Sequence, residues 1–110
     1  MTYQPFEVVV VPFPYNDRVA EKRRPALVVS APGTQMLGRL WVVMITSAPA
    51  NQLGDHAIGD LSTAGLEVGS TIRTSKIATI EADRVLRRIG HLVESDRRGA
   101  ALALRTCAGF

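Results

Sequence analysis

The chain has 110 residues, a formal net charge of +3 at pH 7 and a sequence pI of about 9.6. This length predicts one domain with a core of its own. The single cysteine, Cys107, excludes an internal disulfide and a cysteine-based metal cluster. Arginines outnumber lysines eleven to two, which favours directed contacts with phosphate or carboxylate groups, although genome composition can give the same ratio.

The N-terminus shows no pattern of a secretory signal, because it lacks a basic segment and its apolar run is interrupted by proline. No stretch of the sequence approaches the length of a membrane span. We therefore expect a cytoplasmic protein.

Three strands are predicted in the first half of the chain. Residues 7–13 carry four consecutive valines, which indicates a strand buried on both faces. A turn and a polar loop follow and reach Arg24. The second strand is predicted over 25–31 and the third over 40–46.

The second half predicts shorter elements: a loop over 47–55, a short strand over 56–58, one or two strands over 70–80, a helical turn over 82–84, and a strand or helix over 85–92. The C-terminus predicts a helix, with Ser95 as its N-cap and Gly109 as its stop signal. Many short strands with one late helix indicate a mainly β fold, a strongly bent antiparallel sheet or barrel.

Two pairs of polar residues lie at the ends of the second and third predicted strands. Arg23 and Arg24 open the second strand, and Thr46 and Ser47 close the third. Each group has an ordinary interpretation, as a charged strand entrance or as common strand and turn residues. If the two strands are antiparallel neighbours, however, Arg24 and Thr46 lie at the same end of the sheet. A guanidinium and a hydroxyl that converge there make an anion site.

The segment 70–76 is rich in hydroxyl and cationic side chains. Strand alternation predicts Arg73 and Ser75 on one face, with Thr74 and Lys76 on the other. Such a strand can follow a sugar-phosphate backbone, or it can be a solvated sheet face. His56 is suited to acid–base chemistry, although a lone histidine is more often structural.

Several kinds of site have no signal in the sequence. There is no glycine-rich phosphate loop, no dinucleotide fingerprint and no metal-ligand spacing, so we expect neither a cofactor nor a metal. Tyr15, Phe13 and Trp41 are the aromatic side chains available for stacking on bases, and each residue type is common in cores.

Taken in order along the chain, the motifs resemble the MazF/PemK/Kid family of toxin endoribonucleases from bacterial type II toxin–antitoxin pairs. Residues 7–14 look like the first strand of that family, which usually begins Gly-Asp where this chain has Phe6 and Glu7. Residues 23–30, RRPALVVS, are similar to its most specific motif, and residues 44–47, MITS, to its second. Further matches follow in the family's order at 64–66, 70–73, 76–80 and 88–92.

This resemblance implies an SH3-like barrel with a C-terminal helix, assembled as a homodimer with single-stranded RNA across the dimer face. It also implies metal-independent cleavage at short sequence motifs, by attack of the 2′-hydroxyl, to leave 2′,3′-cyclic phosphate and 5′-hydroxyl ends. A cognate antitoxin polypeptide would inhibit the enzyme by placing its tail in the RNA groove.

The resemblance also assigns roles to individual residues. Arg24 and Thr46 match the main catalytic pair, and Arg73 matches an arginine that assists in some members. Those members carry an acidic residue two positions later, where this chain has Ser75. Candidates for the general base are His56, Asp17 and Glu21. The residues expected to bind RNA are Arg23, Tyr15, Asp17, Ser47, Ser75 and Lys76.

Two other functions remain open. Gyrase poisons of the CcdB type share this fold and act through the C-terminal helix and tail, here residues 106–110. The second alternative is a non-catalytic RNA-binding module of SH3-like fold, because position 75 has a serine where some family members have an acidic residue.

Overall fold

The computed structural model describes residues 2–13 and 22–110. Its strands are β1 (Glu7–Phe13), β2 (Lys22–Val28), β3 (Arg39–Thr46), β4 (Asp55–Ala57), β5 (Thr71–Glu81) and β6 (Arg87–His91). Its α-helices are α1 (Leu61–Ala64) and α2 (Glu94–Ala108), and 3₁₀ turns span Pro32–Leu37 and Ala82–Arg84.

The described strands form one antiparallel sheet in the order β4-β5-β3-β2-β1-β6. The sheet curls into a half-barrel, and α2 follows as the C-terminal helix. The short helix α1 packs on the edge strand β6, so closely that a side chain at Gly90 would overlap the backbone of Ala64. The predicted fold, a strongly bent antiparallel sheet of SH3-like barrel type with a late helix, is confirmed.

Both faces of the sheet are covered, which explains the run of valines in β1. Val8 lies in one core cluster and Val9 in the other, and neither side chain is exposed. We call the side packed against α2 the helix face; its buried residues include Val8, Leu27, Val43, Ile45, Ile72 and Ala100. We call the opposite side the far face; its buried residues include Tyr3, Val9, Val11, Ala26, Val42 and Met44.

A bulge in β5 breaks the alternation expected for residues 70–76. Arg73 pairs with Met44, but the next pair along β3 joins Val43 to Ile77, so residues 74–76 are extra. Thr74 lies on the helix face, opposite to Arg73 as alternation predicts, and its hydroxyl lies 2.7 Å from the carbonyl oxygen of Gly54 and 3.2 Å from that of Ala103 in α2. Two-residue alternation therefore assigns Arg73 and Thr74 to their faces, but it does not extend from Thr74 to Ile77.

Several boundaries differ from the prediction, and those of β2 and α2 have a clear physical reason. Strand β2 begins at Lys22, three residues earlier than expected, because residues 22–24 continue the pairing with β1. Ser95 is not the N-cap of α2, since the amide of Arg97 donates to the carbonyl of Val93 and the helix begins at Glu94. Gly109 ends the helix in a left-handed conformation, as predicted.

Phe6 has a φ of 71°, a conformation usually left to glycine. The phenylalanine is held by a 2.7 Å hydrogen bond from its amide to the carbonyl of Val28, and the guanidinium of Arg97 lies 5.2 Å from the ring centroid. These contacts stabilise a backbone that costs energy for a residue with a side chain.

Candidate active site

The sheet places Arg24 and Thr46 on the far face at the same end of β2 and β3. Arg24 pairs across β1 with Val11, which belongs to the far-face core. Ala26 pairs with Met44 at the end of the β2–β3 ladder, and Arg24 and Thr46 each lie two residues beyond this pair on the same face. The expectation that these two strands are antiparallel neighbours is thus met by the register.

The backbone after β3 donates a hydrogen bond to the hydroxyl of Thr46. The amide of Ala48 donates to Thr46 Oγ1 at 3.2 Å. A threonine hydroxyl has one proton to donate and two acceptor positions. With one acceptor position used by Ala48, the half-buried hydroxyl has one proton and one further acceptor position.

Arg73 lies on the same face in the neighbouring strand β5. It pairs with Met44 of β3 on one side and with Asp55 of β4 on the other. Its guanidinium is bidentate to the Asp55 carboxylate, with Nε 3.1 Å from Oδ1 and Nη2 3.0 Å from Oδ2. The Arg73 side chain is 11% exposed and that of Asp55 only 2%. A buried pair with this geometry is held much more rigidly than a surface ion pair.

The pKa values of both partners favour the charged forms. Hydrogen bonds from Arg73 hold the pKa of the Asp55 carboxyl below its ordinary value of 3.8, despite the opposing effect of burial. The backbone amides of Asn51 and Gln52, at 3.0 and 3.2 Å from Oδ2, act in the same direction. Asp55 in turn raises the pKa of Arg73.

Asp55, the ion-pair partner of Arg73, is not among the residues predicted from the sequence. The segment 47–55 was expected to be a loop, so its carboxylate was not assigned to a strand. The only signal was an aspartate next to a predicted strand, and its pairing with Arg73 depends on the register between β4 and β5. Local sequence patterns do not determine that register.

His56 lies on the helix face, since it pairs with Ile72 of that core. Its Nε2 is 2.9 Å from Oδ1 of Asp96 in the first turn of α2. Burial raises the pKa of Asp96, but hydrogen bonds from the amides of Asp60 and Gly59 and from His56 outweigh it, and the pKa is lowered overall. The register therefore separates His56 from Arg24 and Thr46, and joins it to α2.

The residues expected to bind RNA have different surroundings. Ser47, Ser75 and Lys76 are exposed, and Ser75 Oγ is 3.4 Å from Oε1 of Gln52. Tyr15 and Asp17, like the candidate base Glu21, lie outside the described residues.

Arg23 alternates with Arg24 and points to the other side of β2. It lines a cavity of about 490 Å³ together with Val10, Pro25, Leu86 and Arg87. The two arginines make this cavity cationic above an apolar floor, and within the described residues neither has a carboxylate in ion-pair contact.

Two further observations concern the described part of the chain. Residues 2–13 and 22–110 contain no group of three or more His, Cys, Asp or Glu side chains placed to hold a metal ion. No helix in these ranges has the length and apolar character needed to cross a bilayer.

The family model for the PemK-like, MazF-like toxin of type II toxin–antitoxin systems matches residues 4–107. A comparison with curated proteins finds no match. Among solved structures, an endoribonuclease in complex with its cognate antitoxin from a mycobacterial species is similar, with a TM-score of 0.79 at 17% identity over 98% of this chain and 96% of that one.

Two further solved structures are similar. MazF from Deinococcus radiodurans gives a TM-score of 0.79 at 16% identity, over 100% of this chain and 99% of that one. The Mycobacterium tuberculosis toxin MazF-mt6 gives 0.71 at 21% identity, over 89% and 91%. At these identities the likeness establishes the fold, which agrees with the half-barrel and C-terminal helix described above.

Proposed function

Because the chain belongs to the PemK-like, MazF-like toxins of type II toxin–antitoxin systems, we propose that it is an endoribonuclease that cleaves single-stranded RNA. The observation that carries the proposal is the shared position of Arg24 and Thr46, on one face and at one end of neighbouring strands. A cationic fork beside a hydroxyl donor suits a phosphodiester that gains negative charge.

In the proposed reaction the 2′-oxygen of a ribose attacks the adjacent phosphorus. A bond from the 2′-oxygen to phosphorus forms, and the bond from phosphorus to the 5′-oxygen of the next nucleotide breaks. A base takes the 2′-hydroxyl proton, and the departing 5′-oxygen receives a proton. The products carry a 2′,3′-cyclic phosphate and a 5′-hydroxyl, and no atom of water enters this step.

Arg24 is assigned to the charge on the phosphate oxygens, because an arginine keeps its proton and is a poor base. The Thr46 hydroxyl donates a hydrogen bond to a second phosphate oxygen, and Arg73 donates another from the neighbouring strand β5. His56 is not included, since it is bound to Asp96 across the sheet. Asp17 and Glu21 are still only predicted candidates for the general base.

The proposal includes the partners implied by the family. Ser47, Ser75 and Lys76 are assigned to the RNA backbone near the cut, and Arg23 to a phosphate further along the strand. Tyr15 and Asp17 are assigned to RNA as well, on the sequence alone. We propose a homodimer and a cognate antitoxin as protein partners; the similar mycobacterial endoribonuclease is in complex with its own antitoxin.

The test is to incubate a long single-stranded RNA with the purified protein in EDTA and to map the fragment ends. Wild type should give discrete cuts with cyclic phosphate ends. Arg24→Ala should abolish them while circular dichroism shows an unchanged fold. Arg105→Ala, which removes an exposed arginine of α2, is the matched control and should cut like wild type.

Intact RNA after incubation with folded, antitoxin-free wild type would contradict the proposal. Binding without cleavage would then favour a non-catalytic RNA-binding module. Inhibition of gyrase that is lost on deletion of residues 109–110 would favour a gyrase poison.

A further inference from the structure

We infer that Asp55 is a positioning residue for the cleavage, because it fixes the Arg73 guanidinium so that one nitrogen, Nη1, is left to contact RNA. This inference rests on the proposed function and adds a residue to it. Asp55 does not touch the substrate in this arrangement; it acts through Arg73.

The hydrogen bonds of Arg73 account for three of its five N–H groups. Nε donates to Asp55 Oδ1 at 3.1 Å, which uses its single hydrogen. Nη2 lies 3.0 Å from Asp55 Oδ2, 3.2 Å from Asn51 Oδ1 and 3.5 Å from the carbonyl oxygen of Pro49, and these acceptors use both of its hydrogens. A guanidinium has five N–H donors in a planar fork, so the two that remain are both on Nη1. The ligand-binding edge of Arg73 is thus defined by Asp55.

The direction of the Nη1 edge matters because Arg73, on β5, lies near Thr46 of the adjacent strand β3. Met44 pairs with Arg73, and Thr46, two residues along β3, projects from the same face. A guanidinium that can rotate would spread its charge over many orientations. One held by a bidentate carboxylate keeps a donor pair at a constant position, which is how preorganised donors favour a transition state.

Asp55 also connects Arg73 to the loop that follows Thr46. Its Oδ2 accepts from the amides of Asn51 and Gln52, and Asn51 Oδ1 returns a contact to Arg73. The same loop begins with the Ala48 amide that binds Thr46 Oγ1. One buried carboxylate therefore sets both the guanidinium and the loop next to the catalytic hydroxyl.

Position 75 supplies no second carboxylate that could orient Arg73. At position 75 the side chain is a serine hydroxyl, 3.4 Å from Gln52 Oε1, and it supplies no charge to Arg73. Among the described residues the one carboxylate in ion-pair contact with Arg73 is that of Asp55. The orientation of Arg73 then depends on a residue of the neighbouring strand rather than on its own.

The test compares wild type with Asp55→Asn, Arg73→Ala and the double variant, in steady-state cleavage of a short RNA over a range of RNA concentrations. Asn is close to Asp in shape and keeps one acceptor oxygen, but its amide group faces the Arg73 donors. We expect Asp55→Asn to lower kcat by about tenfold or more with KM changed by less than about threefold, a loss confined to the transition state. Asp83→Asn, at an exposed aspartate, should not change either constant.

The double variant separates positioning from a structural role. If Asp55 acts through Arg73, adding Asp55→Asn to Arg73→Ala should cause less than about a twofold further loss of kcat. A further loss as large as that of Asp55→Asn in wild type would overturn the inference, since Asp55 would then act through the loop alone. Unchanged cleavage by Asp55→Asn would overturn it as well, and would leave the proposed function standing.

An NMR measurement keeps the inference testable if the protein cleaves no RNA. The Nε–H signal of Arg73 should exchange slowly with solvent in wild type and rapidly in Asp55→Asn. Titration with a 2′-deoxy analogue should shift the Arg73 Nη1 signal of wild type. Rapid exchange in wild type, or no shift on binding, would overturn the inference separately from the activity.

Discussion

His56 and Asp96 join the C-terminal helix to the edge of the sheet, with 2.9 Å between Nε2 and Oδ1. The same carboxylate accepts from the amides of Gly59 and Asp60, so it also orders the turn between β4 and α1. Asp96 is 3% exposed. A buried carboxylate with three donors is a structural element of the helix packing, and its loss leaves those donors without an acceptor.

Asp96→Ala should lower the free energy of unfolding by about 1–3 kcal/mol at neutral pH, because buried N–H groups lose their partner. The lowered pKa of Asp96 makes its contribution complete above the ordinary value of 3.8, and the contribution is lost as the pH falls through the folded-state pKa. Urea unfolding at pH 7 and pH 3 checks both statements. Wild type should lose stability on acidification, and the variant should lose less.

The control for that experiment is Asp83→Ala, which removes an exposed aspartate from the 3₁₀ turn. It should unfold like wild type at both pH values. An Asp96→Ala protein as stable as this control at pH 7 would show that α2 is held by its apolar contacts alone.

Gly99→Ala tests how closely α2 approaches His56. A Cβ at Gly99 would lie 2.1 Å from His56 Cε1, so the ring or the helix must move. We expect a loss of about 1–3 kcal/mol in the free energy of unfolding, in the range of overpacked cores. The clash involves a side chain, so His56→Ala in the same protein should recover part of the loss in a thermal unfolding series.

Gly69→Ala is the matched control, because a Cβ there meets no atom within 4 Å. Equal stability of the Gly99→Ala protein and this control would contradict the close packing of α2 on His56. A double variant no more stable than Gly99→Ala would place the strain in the helix backbone instead.

The strands and the Arg24–Thr46 position could be predicted because they depend on local patterns. Four valines mark β1, and strand alternation plus antiparallel order is sufficient to bring Arg24 and Thr46 together. The contacts of Asp55 and His56 could not be predicted in the same way. Their partners, Arg73 and Asp96, are 18 and 40 residues away, and the contacts depend on the register of a three-residue strand.

The bulge in β5 is a second reason why the site was only partly predictable. Nothing in residues 70–76 marks the three extra residues. Alternation places Thr74 opposite to Arg73, as found, but it does not predict that Val43 pairs with Ile77. Burial is not predicted either: Thr74 is 2% exposed because α2 covers it, whereas Lys76 is exposed.

Thr46→Val should lower kcat by about 100-fold, because it removes a donor to the phosphate oxygen while keeping the shape of the side chain. Thr46→Ser retains the hydroxyl and should stay within about tenfold of wild type. Steady-state cleavage with saturating RNA measures kcat for both variants. A Thr46→Val enzyme as fast as the serine variant would remove Thr46 from the proposed chemistry and leave charge stabilisation to Arg24.

Arg23→Gln tests whether the cationic cavity on the other side of β2 contacts the RNA. Arg23 and Arg87 line this cavity above Val10, Pro25 and Leu86, an arrangement suited to a phosphate with an apolar neighbour. Affinity for a 2′-deoxy analogue, measured by fluorescence anisotropy over a range of salt, should fall in the variant. The slope of log K against log salt should become shallower by about 0.7, the value for one phosphate contact with a single strand.

Arg105→Gln is the control for Arg23→Gln, because it removes one positive charge from the exposed last turn of α2. Its salt slope should match that of wild type. If Arg23→Gln and Arg105→Gln change the slope equally, the effect of Arg23 is that of net charge, and the RNA does not reach the cavity. If only Arg23→Gln changes it, Arg87→Gln should give a similar loss, because both guanidinium groups line the same cavity.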